Sequence, residues 1–210
     1  MKEPVMKILP WSGAIAGLCW AAELFAAKTP DDPADPKAVA MIGDAVARNY
    51  VAGFALLVGA VMLTFFAAAV RGSLRSGESG ESTYSSVAYG GLLVAAAGFA
   101  SLGVVQIALT NAAKSGDTTV TATIGQLALI GWLPALAGLI AAFWGVGLGG
   151  LRTATTPKWF AITSMALGVI GVLGPLAVAV YLVLPLWLIA ASVFATGRTA
   201  AAREPVLAAA

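Results

Sequence analysis

The sequence predicts an all-α fold: a polytopic membrane helical bundle of about six transmembrane helices, with both termini cytoplasmic. Three observations carry that prediction. Of the 210 residues, 60% are hydrophobic and only 10% are charged, against about 25% charged in an ordinary soluble domain. Such a chain lacks the polar side chains to cover a water-facing surface. Its apolar residues also run in uncharged blocks, close to the ~20 residues that a helix needs to cross a ~30 Å hydrocarbon core. Finally, Lys and Arg stand at the ends of those blocks and divide unevenly between the two sides.

The first block covers roughly 9–27, behind Lys2 and Lys7. A cleaved signal peptide would have an apolar region of about 7–15 residues ending at a small-x-small site. Here the block is longer, carries Glu23 and has Phe25 three residues before Lys28, so a retained span is expected. Leu18 also stands before Cys19, where a lipoprotein site requires a small residue. The stretch from Thr29 to Pro36 is interrupted by prolines, each of which removes a donor and restricts its predecessor. Asp35 and Pro36 read as N-cap and first helical residue. The helix they open, through Met41 and Val46, is expected to run into a second span over roughly 50–70.

Arg71 closes that span, and a loop rich in Gly, Ser and Glu follows, which its composition marks as flexible. A third span is expected over 86–110 and a fourth over 124–149, the latter containing Pro134. The last apolar block, Trp159 to Ala195, is too long for one crossing at ~1.5 Å per residue. It must break near Gly171, Gly174 and Pro175, either as one kinked span or as a hairpin of spans 158–174 and 176–196. Six spans place Lys2, Lys7, Arg71, Arg75, Arg152, Lys158, Arg198 and Arg203 on one side, with Lys28, Lys37, Arg48 and Lys114 on the other. That division fits the positive-inside rule with both termini inside; five spans would put Arg198 and Arg203 outside. Residues 1–210 therefore read as a single transmembrane domain in a bacterial cytoplasmic membrane.

Several chemistries are excluded. Cys19 is the only cysteine and there is no histidine, so no intrachain disulfide, zinc-type ligand set, bis-His haem or Ser–His dyad is available. Ser12, Ser164 and Ser192 have no candidate base. The net charge of +2 contains no Lys/Arg cluster to track phosphates, which excludes nucleic acid as a partner. Asp31, Asp32 and Asp35 lack the frame of a calcium loop. The glycine string Gly145 to Gly150 closes a span instead of joining a strand to a helix, so it is not a phosphate loop. Gly13 and Gly17, and likewise Gly168, Gly171 and Gly174, read as packing seams. No catalytic residue, metal ligand or cofactor is assigned.

Glu23 is the one charged residue expected inside a span, where ionisable groups are costly and often functional. At similar depth fall Gln106, Gln126, Trp132 and Tyr181, with Arg48 at the entrance of the second span. Brought together, these six would form a polar, outward-opening ligand pocket with a carboxylate at its floor. The plainer alternative is that Glu23 reaches the interface or pairs with Arg48, and that the glutamines hydrogen-bond between helices.

Leu151-Arg152-Thr153 with Pro157-Lys158-Trp159, then Gly174-Pro175-Leu176 and Leu184-Pro185-Leu186-Trp187, resemble a family of small actinobacterial polytopic integral membrane proteins. The acidic first external loop and Arg71-Gly72-Ser73-Leu74-Arg75 are similar too. The resemblance implies the six-helix architecture and, since no activity or catalytic residue is assigned to that family, no mechanism. The expected role is non-enzymatic: an accessory or scaffold subunit, or a binder of lipid or an apolar small molecule. The alternative is a small transporter or channel component using the Glu23 pocket. Expected partners are the lipid bilayer and either a partner membrane protein or further copies of this chain.

Overall fold

The structure is a computed structural model and describes residues 9–27, 35–80 and 82–201. Among them there is no strand. A 3-10 turn, Leu9–Trp11, leads into α1 (Ser12–Ala26); α2 (Pro36–Asp44), α3 (Val46–Arg75), α4 (Thr83–Ser115), α5 (Thr118–Ile130) and α6 (Leu133–Thr153) follow. The chain then forms α7 (Lys158–Val172), a 3-10 turn at Gly174–Leu176 and α8 (Ala177–Ala201). Five segments are long and apolar enough to cross a membrane: Leu9–Ala26, Val46–Arg75, Thr83–Ser115, Thr118–Thr153 and Ala177–Ala195. The chain has the build of a multi-pass membrane protein. With 15 residues, α7 is the short apolar helix of the set.

Local chemistry sets the breaks. Asp35 accepts a hydrogen bond from the Lys37 backbone N–H and Pro36 begins α2, the N-cap and N1 arrangement expected of that pair. The helix does not run on into the second span: it stops at Asp44, and Ala45 turns to φ −110°, ψ 21° before α3 begins. Gly43 and Asp44 are weak helix formers at the end of this short helix. Gly116 closes α4 with φ +75°, the left-handed conformation glycine accepts without a Cβ clash, and Asp117 then caps α5 by accepting from Val120 N–H. The fourth apolar block, expected as one span over 124–149, lies in one crossing segment, Thr118–Thr153, built of two helices parted at Gly131–Trp132. Pro134 has no N–H to offer the Ile130 carbonyl, so the ladder fails there.

The last apolar block is a hairpin. The ring of Phe160 lies 4.8 Å from that of Phe194, and Trp187 donates its indole N–H to Ser164 Oγ at 2.9 Å. Residues so distant in sequence meet only when the chain turns back. Gly174, at φ +60°, makes the turn.

The helices run up and down in alternation. One end, called lower here, holds the ends of α3 and α6 and the starts of α4 and α7; the upper end holds Ala26, Ser115 and Val172. In the packing, α1 lies between α3 and α8, α4 between α3 and α6, and α7 beside α6. Trp20, Phe66, Phe99 and Phe143 fill the centre, each less than 2% exposed. At the upper end a separate cluster of Ile42, Leu109, Ala113 and Ala128 joins α2, α4 and α5. The outer flanks carry exposed Phe54, Val58, Val61 and Phe65 on α3, and Val94 and Val104 on α4, surfaces suited to lipid tails.

Small residues decide how closely the long helices approach. A Cβ on Gly91 would lie 2.5 Å from Ala142 N, and one on Gly145 would lie 2.5 Å from Ala88 N. Gly98 and Gly138 oppose the backbone of Ala135 and Ala95 more closely still. The α4–α6 contact is therefore backbone against backbone. Between α3 and α4, Gly53 and Gly103 approach each other's carbonyls in the same way.

Candidate functional site

The site begins with a proline. Pro185 lies inside α8 and has no N–H, so the carbonyl of Tyr181, one turn earlier, loses its intrahelical partner. A neighbouring helix replaces it: Trp20 of α1 donates its indole N–H to Tyr181 O at 3.0 Å. An orphaned backbone group at membrane depth costs several kcal/mol if left unsatisfied. The Tyr181 side chain returns the connection, its hydroxyl donating to Glu23 Oε2 at 2.6 Å. Two hydrogen bonds through one residue thus fasten α8 to α1.

Aromatic rings enclose this clasp. Trp20 packs edge-on to Tyr181 with centroids 4.4 Å apart, and tilts against Phe99 at 4.3 Å. Trp132, at the α5–α6 break, meets the other side of Tyr181 at 6.0 Å. Glu23 itself is 8% exposed. The arrangement offers one carboxylate and one phenol inside an aromatic wall. Among the described residues it includes no nucleophile with a base beside it.

Of the six residues expected to share a pocket, the structure brings Glu23, Trp132 and Tyr181 together. Gln106 is buried one helix away and donates to Asn49 Oδ1 at 3.2 Å, joining α4 to α3. Arg48 is exposed and donates to the Phe25 carbonyl at 2.9 Å, so its hydrogen bond goes to the end of α1 and not to the Glu23 carboxylate. Gln126 is exposed, which sets it apart from the outward-opening pocket expected to include it. The buried face of α5 is set by Thr121, Gly125 and Ala128, and Gln126 is turned ~100° from Gly125 around the helix. Trp20 and Pro185 were missed from sequence. The available signal was a proline four residues after a tyrosine, which frees one particular carbonyl.

The lower end has its own polar cluster. Glu78 accepts from the Ser85 backbone N–H at 2.9 Å and from its hydroxyl at 2.6 Å, capping the start of α4 from outside the helix. This anchors the loop that its composition marks as flexible. Partial desolvation raises the Glu78 pKa, but the Ser85 hydroxyl, the Ser85 and Tyr84 N–H groups and the Arg75 charge outweigh it, leaving the carboxyl below its ordinary value. Arg71 lies over the Tyr89 ring and Arg152 over Tyr84, at 5.0 and 5.2 Å from the centroids. Asp31, Asp32 and Glu81 lie outside the described residues; among those described, no three His, Cys, Asp or Glu gather as a metal site would require.

Comparison with protein-family models, with curated proteins and with solved structures finds no match to this chain.

Proposed function

We propose that this chain is a six-segment protein of a bacterial cytoplasmic membrane, with both termini inside, that serves as a non-catalytic accessory or scaffold subunit. The observation that carries this reading is the filled centre of the bundle. Trp20, Phe66, Phe99 and Phe143 occupy its middle, and α3, α4 and α6 meet through glycine with backbone in contact. A rod packed this way favours a fixed surface presented to a neighbour over a path for solute. The positive-inside distribution supports the orientation, and the actinobacterial family likeness belongs to the same proposal. The test is native mass spectrometry of the protein released from its own membranes. A second protein at fixed stoichiometry is the expected result; release as a bare monomer under conditions that preserve known membrane complexes would refute the role.

One observation favours a second reading, a small transporter or channel component. Glu23 is a buried carboxylate near the upper end of α1, and intramembrane carboxylates commonly mark ion or proton paths. Glu23→Gln keeps an acceptor for Tyr181 while removing the charge. Loss of solute-dependent stabilisation in that variant would support transport, and an unchanged response would leave Glu23 as part of the clasp alone.

A further inference from the structure

The α3–α4 groove at the lower end carries a feature that helix packing does not use. The Arg71 guanidinium carbon lies over the Tyr89 ring, 5.0 Å from its centroid, and among the described residues its N–H groups have no acceptor. One turn further along α3, Arg75 donates one N–H to the Gly80 carbonyl at 3.0 Å. Among the described residues, a shallow groove beside it is lined by Arg75, Gly80, Ser82, Thr83, Ser86 and Val87. Glu78, whose carboxyl feels the Arg75 charge, lines the neighbouring groove with Arg152 and Thr153. Arg75 thus lines a groove that also carries the hydroxyls of Ser82, Thr83 and Ser86, and Arg71 stands one turn above it on the same helix.

Above the arginines the helix flanks are low and apolar. On α3, Ala68 lies at helical spacing from Arg71 and Arg75 and is exposed; on α4, Ala97 shares the flank of Ser86 and Gly90 and is also exposed. Nothing lies within 4 Å of where a Gly90 Cβ would stand. Phe65 and Val94 border this strip and are about half exposed. Phosphate chemistry at the base of an apolar strip running up into the bilayer matches one kind of molecule. We infer that the α3–α4 groove binds an anionic phospholipid of the adjoining leaflet, its phosphate held by Arg71 and Arg75 and its acyl chains laid along Ala68, Gly90 and Ala97. A guanidinium stacked on a ring keeps its edge N–H groups free to bond a phosphate in two-pronged fashion, and the stacking removes much of the side-chain freedom that binding would otherwise have to restrict.

This inference rests on the membrane reading but not on the accessory-subunit role, and the two fail differently. Wrong membrane placement would prevent insertion into nanodiscs; a wrong lipid site would leave insertion intact. The experiment is native mass spectrometry from nanodiscs of mixed phosphatidylglycerol and phosphatidylcholine. The native protein is expected to leave the disc with phosphatidylglycerol bound. The R71Q/R75Q variant should retain about thirtyfold less, consistent with the contribution of two basic residues at an anionic surface. R48Q, at the other end of the bundle, should retain it fully. Tyr89→Phe should preserve retention and Tyr89→Leu should weaken it, which separates a positioning ring from a mere charge effect. Equal retention by R71Q/R75Q and the native protein would overturn the proposal. Displacement of the lipid by excess glycerol phosphate would overturn it as well, by showing a site for free anions. Should R71Q/R75Q fail to insert, Tyr89→Leu decides instead, and unchanged retention by that variant would count against the site.

Discussion

The α4–α6 contact and the α1–α8 contact hold helices together by opposite means. The first removes side chains: Gly91, Gly98, Gly138 and Gly145 let two backbones meet. The second adds them: Trp20, Tyr181 and Glu23 bridge the helices with rings and two long-range hydrogen bonds. Lipid tails are as apolar as leucine, so neither contact draws on hydrophobic exclusion from water, and each must gain from close packing or from satisfying polar groups. The difference teaches where each region is vulnerable. The glycine contact breaks when atoms are added, and the clasp breaks when they are taken away.

The largest effect is expected from Gly138→Ala. Its new methyl group would meet the backbone of Ala95 and the Gly91 carbonyl at 2.5 Å, neither of which is a flexible tip. Separating the helices should cost about 3 kcal/mol, the upper part of the range for overpacking, read as a lowered midpoint in denaturant titrations in bicelles. Gly90→Ala, on the same α4, has open space around it and should be neutral or stabilising by up to ~1 kcal/mol through helix propensity. Equal losses at the two glycines would dissolve the distinction between seam and surface.

Trp20→Phe tests the clasp at its backbone end. It keeps a ring but removes the donor to Tyr181 O, and should cost about 1–3 kcal/mol for an orphaned buried carbonyl. Adding Pro185→Ala supplies an intrahelical N–H to that same carbonyl, so the double variant should recover part of the loss in the same titration. Additive losses would show that the indole bond carries no weight. Tyr181→Phe should cost about 1 kcal/mol or somewhat more by depriving Glu23 of its phenol donor, and combination with Glu23→Leu should reduce the penalty.

The smallest effect belongs to the lower-end loop. Glu78→Ala should destabilise by about 0.5–1 kcal/mol, as loss of a helix cap does. The sign with pH follows from its lowered pKa. The Glu78 contribution is fully present above the ordinary carboxylate range and disappears as pH falls through the depressed value. A melting series across acid pH should therefore show the native protein converging on Glu78→Ala as the pH falls. A gap that stays constant would break the assignment.

Much of the architecture was legible because it depends on properties of single residues. Apolar blocks of membrane-spanning length, Asp35 and Pro36 at a helix start, and a break near Gly174 each follow from side-chain polarity or backbone freedom at one place. The α5–α6 break was less legible, since Pro134 is tolerated inside many membrane helices when neighbours take up the freed carbonyl. The site was legible only in part. Depth along a span follows from counting residues, which placed Glu23, Trp132 and Tyr181 at one level. The direction a residue faces depends on which helix lies beside it. Gln126 has the depth of the pocket and the wrong face, while Gln106 finds its partner in Asn49.

Taken alone, the sequence determined that this chain has the apolar segments of a multi-pass membrane protein, where several of its helices begin, and which side-chain chemistries it lacks, because solvent preference and backbone permission are local properties. Tertiary structure decided that the last apolar block doubles back, that α4 and α6 meet through glycine, and that the carbonyl freed by Pro185 belongs to Trp20. Those outcomes depend on pairing between distant residues. In a chain so uniformly apolar, hydrophobicity does not distinguish one partner from another; the fit of backbones and the demand of buried polar groups for donors do.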